Sequence, residues 1–160
     1  MSLLIVAERP DTADAQTLIA ELEAYLTPMY PRESRHGFSV DKLVREGVAF
    51  FVMRYNEELA GCGGVKLFVD DAVDDPVERF AEVKRMYVRP HFRGKGLAKR
   101  MVEHLADHAR HHRIDILRLE TGIYQTEAVG LYERMGFRRV GPFGDYRLDP
   151  LSLYFEKRIA

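Results

Sequence analysis

A six-residue stretch, Arg93-Gly94-Lys95-Gly96-Leu97-Ala98, constrains this chain more than any other, because it joins a strand-like run ending at Val88 to an amphipathic helix with the wrong charges. Free amides and the macrodipole give a helix N-terminus partial positive charge, so Asp, Glu, Ser or Thr are expected there. Arg93, Lys95, Lys99 and Arg100 stand there instead. Such a start makes electrostatic sense when an anion takes the free N–H groups. Gly94 and Gly96 suit that reading, since backbone without Cβ atoms turns tightly and lets a ligand reach its amides. The stretch reads as a diphosphate cradle; the plainer alternative is an ordinary strand-to-helix turn.

Two common glycine-rich signatures fail here. The Walker pattern needs Gly, four residues, then Gly-Lys-Ser/Thr, and the dinucleotide fingerprint needs a third Gly where Lys99 stands. The pattern that fits is Arg/Gln-x-x-Gly-x-Gly/Ala, filled by Arg93, Gly96 and Ala98 after the lead-in Val83-Lys84-Arg85-Met86-Tyr87-Val88-Arg89-Pro90.

The basic charge is local. The 160 residues carry 24 Lys plus Arg against 25 Asp plus Glu, so no excess of positive charge drives general binding to nucleic acid. This length makes one domain, residues 1–160, the default, with a core that needs neither disulfide nor metal. Cys62 is the only cysteine, which excludes an intramolecular disulfide and a Cys-rich zinc site and suits a reducing cytosol. The apolar run Leu3 to Val6 is too short for a signal sequence or a membrane span, and Glu8, Arg9 and Asp11 follow it. The expectation is a soluble, cytoplasmic protein with neither membrane nor nucleic acid as a partner.

Along the chain, Leu3 to Ala7 reads as a strand, and Asp11-Thr12-Ala13-Asp14 as a helix start. Ala15, Leu18, Leu22, Tyr25, Leu26 and Met29 then recur at helical spacing until Pro28 and Pro31 end the helix. A second short helix should run from a Ser39 cap to a Gly47 stop. Between the two helices, Tyr30 to Gly37 reads as a polar connector. Val48–Tyr55 and Leu59–Val69 flank the turn Asn56-Glu57-Glu58 and should pair antiparallel, while Gly61, Gly63 and Gly64 predict a bulge or a close backbone approach. Asp70 to Glu78 is an acidic turn, solvated or facing a substrate.

Phe80 to Val88 is the strand that enters the cradle, and Leu97, Met101, Leu105 and Ala109 form the buried stripe of the helix that leaves it. His104 and His108 have zinc-ligand spacing, but Asp107 is not where a zincin Glu belongs and a third ligand is missing, so no metal is expected. Ile114 to Glu120 should lie parallel to the strand before the cradle. A helix over about Gln125 to Met135, stopped by Gly136, precedes two strands, Phe137–Val140 and Leu153–Lys157.

The segment Gln125-Thr126-Glu127-Ala128-Val129-Gly130-Leu131-Tyr132-Glu133-Arg134-Met135-Gly136-Phe137 resembles the Asn-x-x-Ala-x-x-Leu-Tyr-Glu-x-x-Gly-Phe stretch of the GNAT superfamily of N-acetyltransferases. The cradle and its lead-in resemble the coenzyme A pyrophosphate loop of the same superfamily. Gln125 stands where that family usually has Asn, and keeps the amide donor and acceptor on a longer stem. The resemblance spans essentially the whole chain. It implies an α/β (α+β) mixed sheet of the GNAT-like acyl-CoA N-acyltransferase type, mostly antiparallel, with one parallel pair, Glu82–Val88 and Leu117–Thr121, splayed around acetyl-CoA.

By family position, Met86, Tyr87 and Val88 offer backbone to the pantetheine arm, and Arg93, Gly94, Lys95, Gly96, Leu97 and Ala98 hold the pyrophosphate. Gln125, Ala128 and Tyr132 complete the coenzyme contacts. The implied reaction is direct transfer of acetyl to a primary amine of a small molecule or amino acid. No Gly-x-Ser-x-Gly elbow is present, and Cys62 has no adjacent His to activate it. A lysine-like amine, pKa about 10.4, costs about 4.6 kcal/mol to neutralise at pH 7, so a base is useful.

By the resemblance, Glu82 holds the position of the base carboxylate in the histone-acetylating branch of the family and Glu120 is a second candidate; a structural or salt-bridging role competes for both. Tyr132 is the implied acid for the leaving thiolate, and a ring packed on the sheet is the competing reading. Fold analogy alone points to Tyr25, Tyr30, Glu33, Tyr146 and Asp149 for acceptor selection. A homodimer is the assembly allowed for. The alternatives carried are a protein or peptide N-acetyltransferase and a non-catalytic coenzyme-A-binding regulatory module.

Overall fold

A computed structural model describes residues 2–69 and 79–159; the acidic turn from Asp70 to Glu78 lies outside the described residues. The element order is β1 (Leu3–Ala7), α1 (Ala13–Leu26), α2 (Val40–Arg45), β2 (Ala49–Tyr55), β3 (Glu58–Phe68), β4 (Phe80–Val88), α3 (Leu97–His111), β5 (Ile116–Gly122), α4 (Thr126–Arg134), β6 (Arg138–Val140) and β7 (Ser152–Arg158). Among the described residues the strands form one sheet in the order β1-β2-β3-β4-β5-β7-β6. Every neighbouring pair is antiparallel except β4 with β5.

Strand alternation sorts the core into two faces. Phe50 and Val52 of β2 pack with Cys62 and Tyr87 under α1 and α2, through Ala15, Leu18, Leu22 and Leu43. Phe51 and Met53 point the other way, onto the α3 stripe of Leu97, Met101, Leu105 and Ala109, with Tyr132 of α4 in the same cluster. Each fully buried Leu or Met there contributes about 1.5–3 kcal/mol from water exclusion. The helix starts are capped as their sequences suggest: Thr12 Oγ1 accepts from Ala15 N at 3.2 Å and Ser39 Oγ from Lys42 N at 3.2 Å. The α1 stripe is shorter than its spacing suggests, because Tyr25 is exposed and Met29 lies past the helix end. His104 and His108 lay their rings against Phe51, with centroids 4.6 and 5.6 Å away.

The β2–β3 turn is tighter than expected. Glu58 pairs with Tyr55, leaving only Asn56 and Glu57 to reverse the chain, both with positive φ (50° and 72°), as a two-residue hairpin requires. β5 runs from Ile116 to Gly122 rather than from Ile114 to Glu120, because pairing with β7 carries Thr121 and Gly122 into the ladder. Ile114 instead closes the exit of α3, donating its N–H to Ala109 O.

The parallel pair touches only at Ala81–Leu117 and Glu82–Arg118; beyond that point β4 and β5 part. A bulge accompanies the parting. Cys62 faces Tyr87 and Gly64 faces Lys84, so Arg85 and Met86 together oppose one residue of β3, and Arg85 takes φ 52°. Left-handed backbone costs an L-residue about 1–2 kcal/mol. Here its side chain is tied down, with Nε donating to Phe38 O at 2.8 Å and Nη2 2.7 Å from Glu23 Oε2. Gly61 supplies the close approach that its sequence suggested: a Cβ there would lie 2.4 Å from Tyr87 O.

Candidate active site

The cradle sits where the splayed strand gives way to α3. Gly94 and Gly96 adopt φ 80° and 74°, and nothing lies within 4 Å of where their Cβ atoms would be. Gly96 is the N-cap of α3 with no side chain capping it, and the first turn holds no acidic residue. The leading amides of α3 therefore point into open space from a basic surround. Arg93 is held in place by Nε donating to Val88 O at 3.1 Å.

These residues form one end of a groove of about 440 Å³ that runs between β4 and α4. Met86, Tyr87, Val88, Arg93, Gly94, Gly96, Leu97, Ala98, Gln125, Ala128 and Tyr132 all line it. Lys95 does not; its Nζ sits 5.5 Å from the Tyr55 ring centroid. Tyr87 presents only backbone, because its ring is buried under α1 and its hydroxyl donates to Glu21 at 3.2 Å. Tyr25, expected from fold analogy at the acceptor, instead lines this groove, with the Arg93 guanidinium 5.8 Å from its ring.

A second, smaller pocket of about 90 Å³ adjoins the groove, and Leu22, Met86, Gln125 and Tyr132 line both. Glu120 is in its wall, two residues past the last pair that β5 makes with β4 and still paired with Tyr154 of β7. Burial pushes the Glu120 carboxyl above its ordinary value, and the Ser152 hydroxyl donating to Oε2 at 2.9 Å only partly opposes this. Tyr132 is buried, with its ring edge-on to Phe137 at 5.5 Å; among the described residues its hydroxyl has no hydrogen-bond partner. Burial raises its phenol strongly, so it holds its proton at neutral pH.

Gln125, which lines both cavities, clips the end of β5, its Oε1 accepting from Gly122 N at 2.9 Å and Thr121 Oγ1 at 3.2 Å. Tyr30 roofs the pocket over Gly122, where a Cβ would meet its hydroxyl at 2.0 Å; Tyr124 N donates to that hydroxyl at 3.0 Å.

Glu82 lies outside both cavities. It is held 2.9 Å from Lys84 Nζ and accepts from the Tyr146 hydroxyl, and Lys84 also donates to that hydroxyl at 3.0 Å. Burial lowers the Lys84 ammonium and raises the Tyr146 phenol, with the Glu82 charge adding to the latter. Glu33, Tyr146 and Asp149 line a further surface cleft that meets the smaller pocket at Ser34 and His36, and Asp149 lies 3.4 Å from His36 Nε2. Cys62 is fully buried and its thiol is pushed up to about 12, mainly by burial, so it is no nucleophile. The smaller pocket is also lined by Arg35, His36 and Arg85, which the sequence reading did not single out. The only signal for the first two was the density of charge between Tyr30 and Gly37.

Comparisons with known proteins agree with this geometry. The profile of the acetyltransferase (GNAT) family matches residues 15–137. The chain is 38% identical over 156 residues to the IAA acetyltransferase of Azospirillum brasilense, covering 98% of this chain and 97% of that one. A Klebsiella pneumoniae crystal structure assigned as an acyl-CoA N-acyltransferase superposes with a TM-score of 0.76 at 30% identity, over 99% of this chain and 98% of that one. The PaiA N-acetyltransferase of Thermoplasma acidophilum in complex with coenzyme A shares the fold at a TM-score of 0.72 and 19% identity, over 99% of each chain. The open cradle, the long groove and the splayed parallel strands fit coenzyme A, and with the family profile over most of its length the chain belongs to the acetyltransferase (GNAT) family of acyl-CoA-dependent enzymes.

Proposed function

We propose that this enzyme moves an acetyl group from acetyl-CoA directly to a primary amine of a small molecule or amino acid, within a ternary complex. The observation that carries this reading is the meeting of a long groove and a small polar pocket at Tyr132, Gln125 and Met86. Two reactants entering from the adjoining cavities come together there, and positioning of that kind supplies about 7–11 kcal/mol of barrier reduction.

Acetyl-CoA supplies, when bound, a thioester whose C–S bond is exchanged for the C–N bond of the product amide, with coenzyme A thiol as the other product. The free edge of β4 from Val83 to Val88 offers backbone groups to the pantetheine amides in the manner of an added strand. Orphan amides at the start of α3, with Arg93 beside them, hold the diphosphate. Glu120 removes the proton from the acceptor ammonium, its carboxyl tuned upward by burial toward the working pH. Tyr132 holds a proton at the junction of the two cavities for the departing thiolate. Glu82 positions Tyr146 and Lys84 and takes no proton from the amine, because its carboxylate is already occupied by both.

A pocket of about 90 Å³ roofed by Tyr30 favours a small acceptor over a polypeptide. The lone, inert Cys62 suits a reducing cytosol. The test is thiol release from acetyl-CoA with a panel of amines, amino acids, polyamines and peptides, alongside calorimetric coenzyme A binding. Release with small amines and none with peptides is expected. Tight binding without release for any amine would make the protein a regulatory module instead.

A further inference from the structure

We infer that the acceptor carries a carboxylate next to its amine, and that Arg35 and Arg85 bind that carboxylate. The inference rests on the transfer reading above and narrows it to small amino-acid zwitterions. Two guanidinium groups line the acceptor pocket and share one counter-ion: Glu23 Oε2 is 2.7 Å from Arg85 Nη2, and Glu23 Oε1 is 3.6 Å from Arg35 Nη1. One positive charge is therefore left over on that wall.

Arg35 gives Nη1 to Thr27 Oγ1 at 3.1 Å, while its Nε is fully closed off from solvent and has no hydrogen-bond partner among the described residues. Buried donors are normally satisfied, and an unpaired charged donor is costly enough to need a reason. A guanidinium fork matches a carboxylate in shape and charge; Nε itself is closed off, so a ligand carboxylate in this pocket would meet the outer face of the Arg35 guanidinium and neutralise its charge.

Arg85 adds a second, independent observation. It is nearly fully buried and occupies the left-handed bulge position of β4, with its guanidinium laid against Gly37, where a Cβ would sit 2.4 Å from Nη1. On the β5 side of the pocket stands Glu120, which has the sign to receive an ammonium. A compact site that holds both cations and a carboxylate is complementary to a zwitterion. A peptide N-terminus or an alkylamine would leave the surplus cation unpaired.

The test uses the full chain loaded with coenzyme A for calorimetry, and acetyl-CoA for thiol release. Each α-amino acid is compared with its carboxamide, its decarboxylated amine and, where available, its aminophosphonate, for the wild type and for Arg35→Gln and Arg35→Lys. The acids should bind, and be acetylated with a KM, about 10- to 100-fold better than their amides, as the loss of a charge-assisted hydrogen bond predicts. Arg35→Gln should collapse that acid-over-amide ratio to within about threefold, and Arg35→Lys should restore part of it. A purely structural Arg35 would weaken acid and amide alike and leave the ratio intact.

Amides or simple amines as good as acids in the wild type, a ratio that survives Arg35→Gln undiminished, or a preference for aminophosphonates would each overturn the inference while leaving acetyl transfer standing. Acid-selective, Arg35-dependent binding without thiol release would uphold the inference and overturn the transfer reading. Absence of both acceptor binding and release would overturn both.

Discussion

Gly96 and Gly47 make a matched pair for testing the cradle. Both have left-handed backbone, φ 74° and 64°, and neither has a heavy atom within 4 Å of the position of a Cβ. Gly47 follows the short helix α2, outside the groove lining, whereas Gly96 caps α3 within it. Replacing either by Ala therefore costs the same dihedral strain, about 1–2 kcal/mol, and no steric clash with the protein. In a chain of this length that lowers the melting temperature by about 2–8 °C.

The two variants should differ only toward coenzyme A. A methyl at Gly96 stands between the leading amides of α3 and an approaching diphosphate. Losing one hydrogen bond to a charged oxygen is worth about 1.5–3 kcal/mol, or roughly 10- to 150-fold in Kd. Calorimetry with coenzyme A should show that loss in Gly96→Ala and wild-type affinity in Gly47→Ala, with similar melting temperatures in both. A Gly96→Ala protein that binds coenzyme A within about twofold of wild type would refute the assignment of those amides to the diphosphate.

Further expectations follow from the site. Tyr132→Phe should cut turnover on the order of 10²-fold while nearly keeping acetyl-CoA affinity, since it removes only the hydroxyl; full activity in that variant would return Tyr132 to a packing role. Glu120 must be ionised to act, and burial raises its carboxyl, so the acid limb of kcat/KM should lie above the ordinary carboxylate value of 4.5 and disappear in Glu120→Gln. Glu82→Gln should keep that limb.

The same upward shift has a stability consequence of defined sign: the folded state holds the proton more tightly, so the Glu120 contribution is lost as pH rises through its folded value. Glu120→Gln should accordingly melt higher than wild type at pH 8, and a lower melting temperature there counts against the shift. Glu21 is shifted the other way, held down chiefly by the hydrogen bonds from Arg89. Its contribution is present above pH 4.5 and lost as pH falls through the depressed folded value. Glu21→Gln should cost no more than about 1 kcal/mol at pH 7, since the pair is about a third exposed, with the difference gone by acid pH in a chemical-denaturation series.

How much was legible in the sequence depended on whether the cause was local. Helix stripes, the Thr12 and Ser39 caps and the glycine-bearing cradle announce themselves because spacing, capping chemistry and charge act within a few residues. Most of the lining of the long groove was readable for that reason, since it comes from β4, the cradle, the start of α3 and α4, each marked by a local motif. Lys95 and the Tyr87 side chain departed from it through contacts with Tyr55 and Glu21, which are distant in sequence.

The smaller pocket is made by such distant contacts throughout. Glu82 and Glu120 are both acids on the splayed strands, and nothing in their spacing tells that Lys84 and Tyr146 occupy the first while the second stays in the pocket. Arg85 reads as one more residue of a strand. Only the one-residue mismatch between β3 and β4 makes it a bulge, and only the folded connector at Phe38 and the end of α1 at Glu23 give its guanidinium partners.

That bulge joins the two halves of the site. A bend in β4 alone would be served best by glycine, which enters left-handed backbone without strain, so keeping arginine there at about 1–2 kcal/mol calls for a return from the side chain. The backbone of Arg85 lies where β4 leaves β5, which frees the edge that faces the groove. Its side chain crosses to the smaller pocket and, with Arg35, sets the sign of that wall. A change at this position therefore perturbs both cavities at once, whereas a change at Arg35 perturbs only the smaller one. Arg85→Gly separates the two contributions: it keeps the bend, so coenzyme A affinity should remain close to wild type, and it removes the guanidinium, so selectivity for carboxylate-bearing amines should fall. Equal losses of coenzyme A affinity and of acid selectivity would show that the bend itself depends on the ties to Glu23 and Phe38.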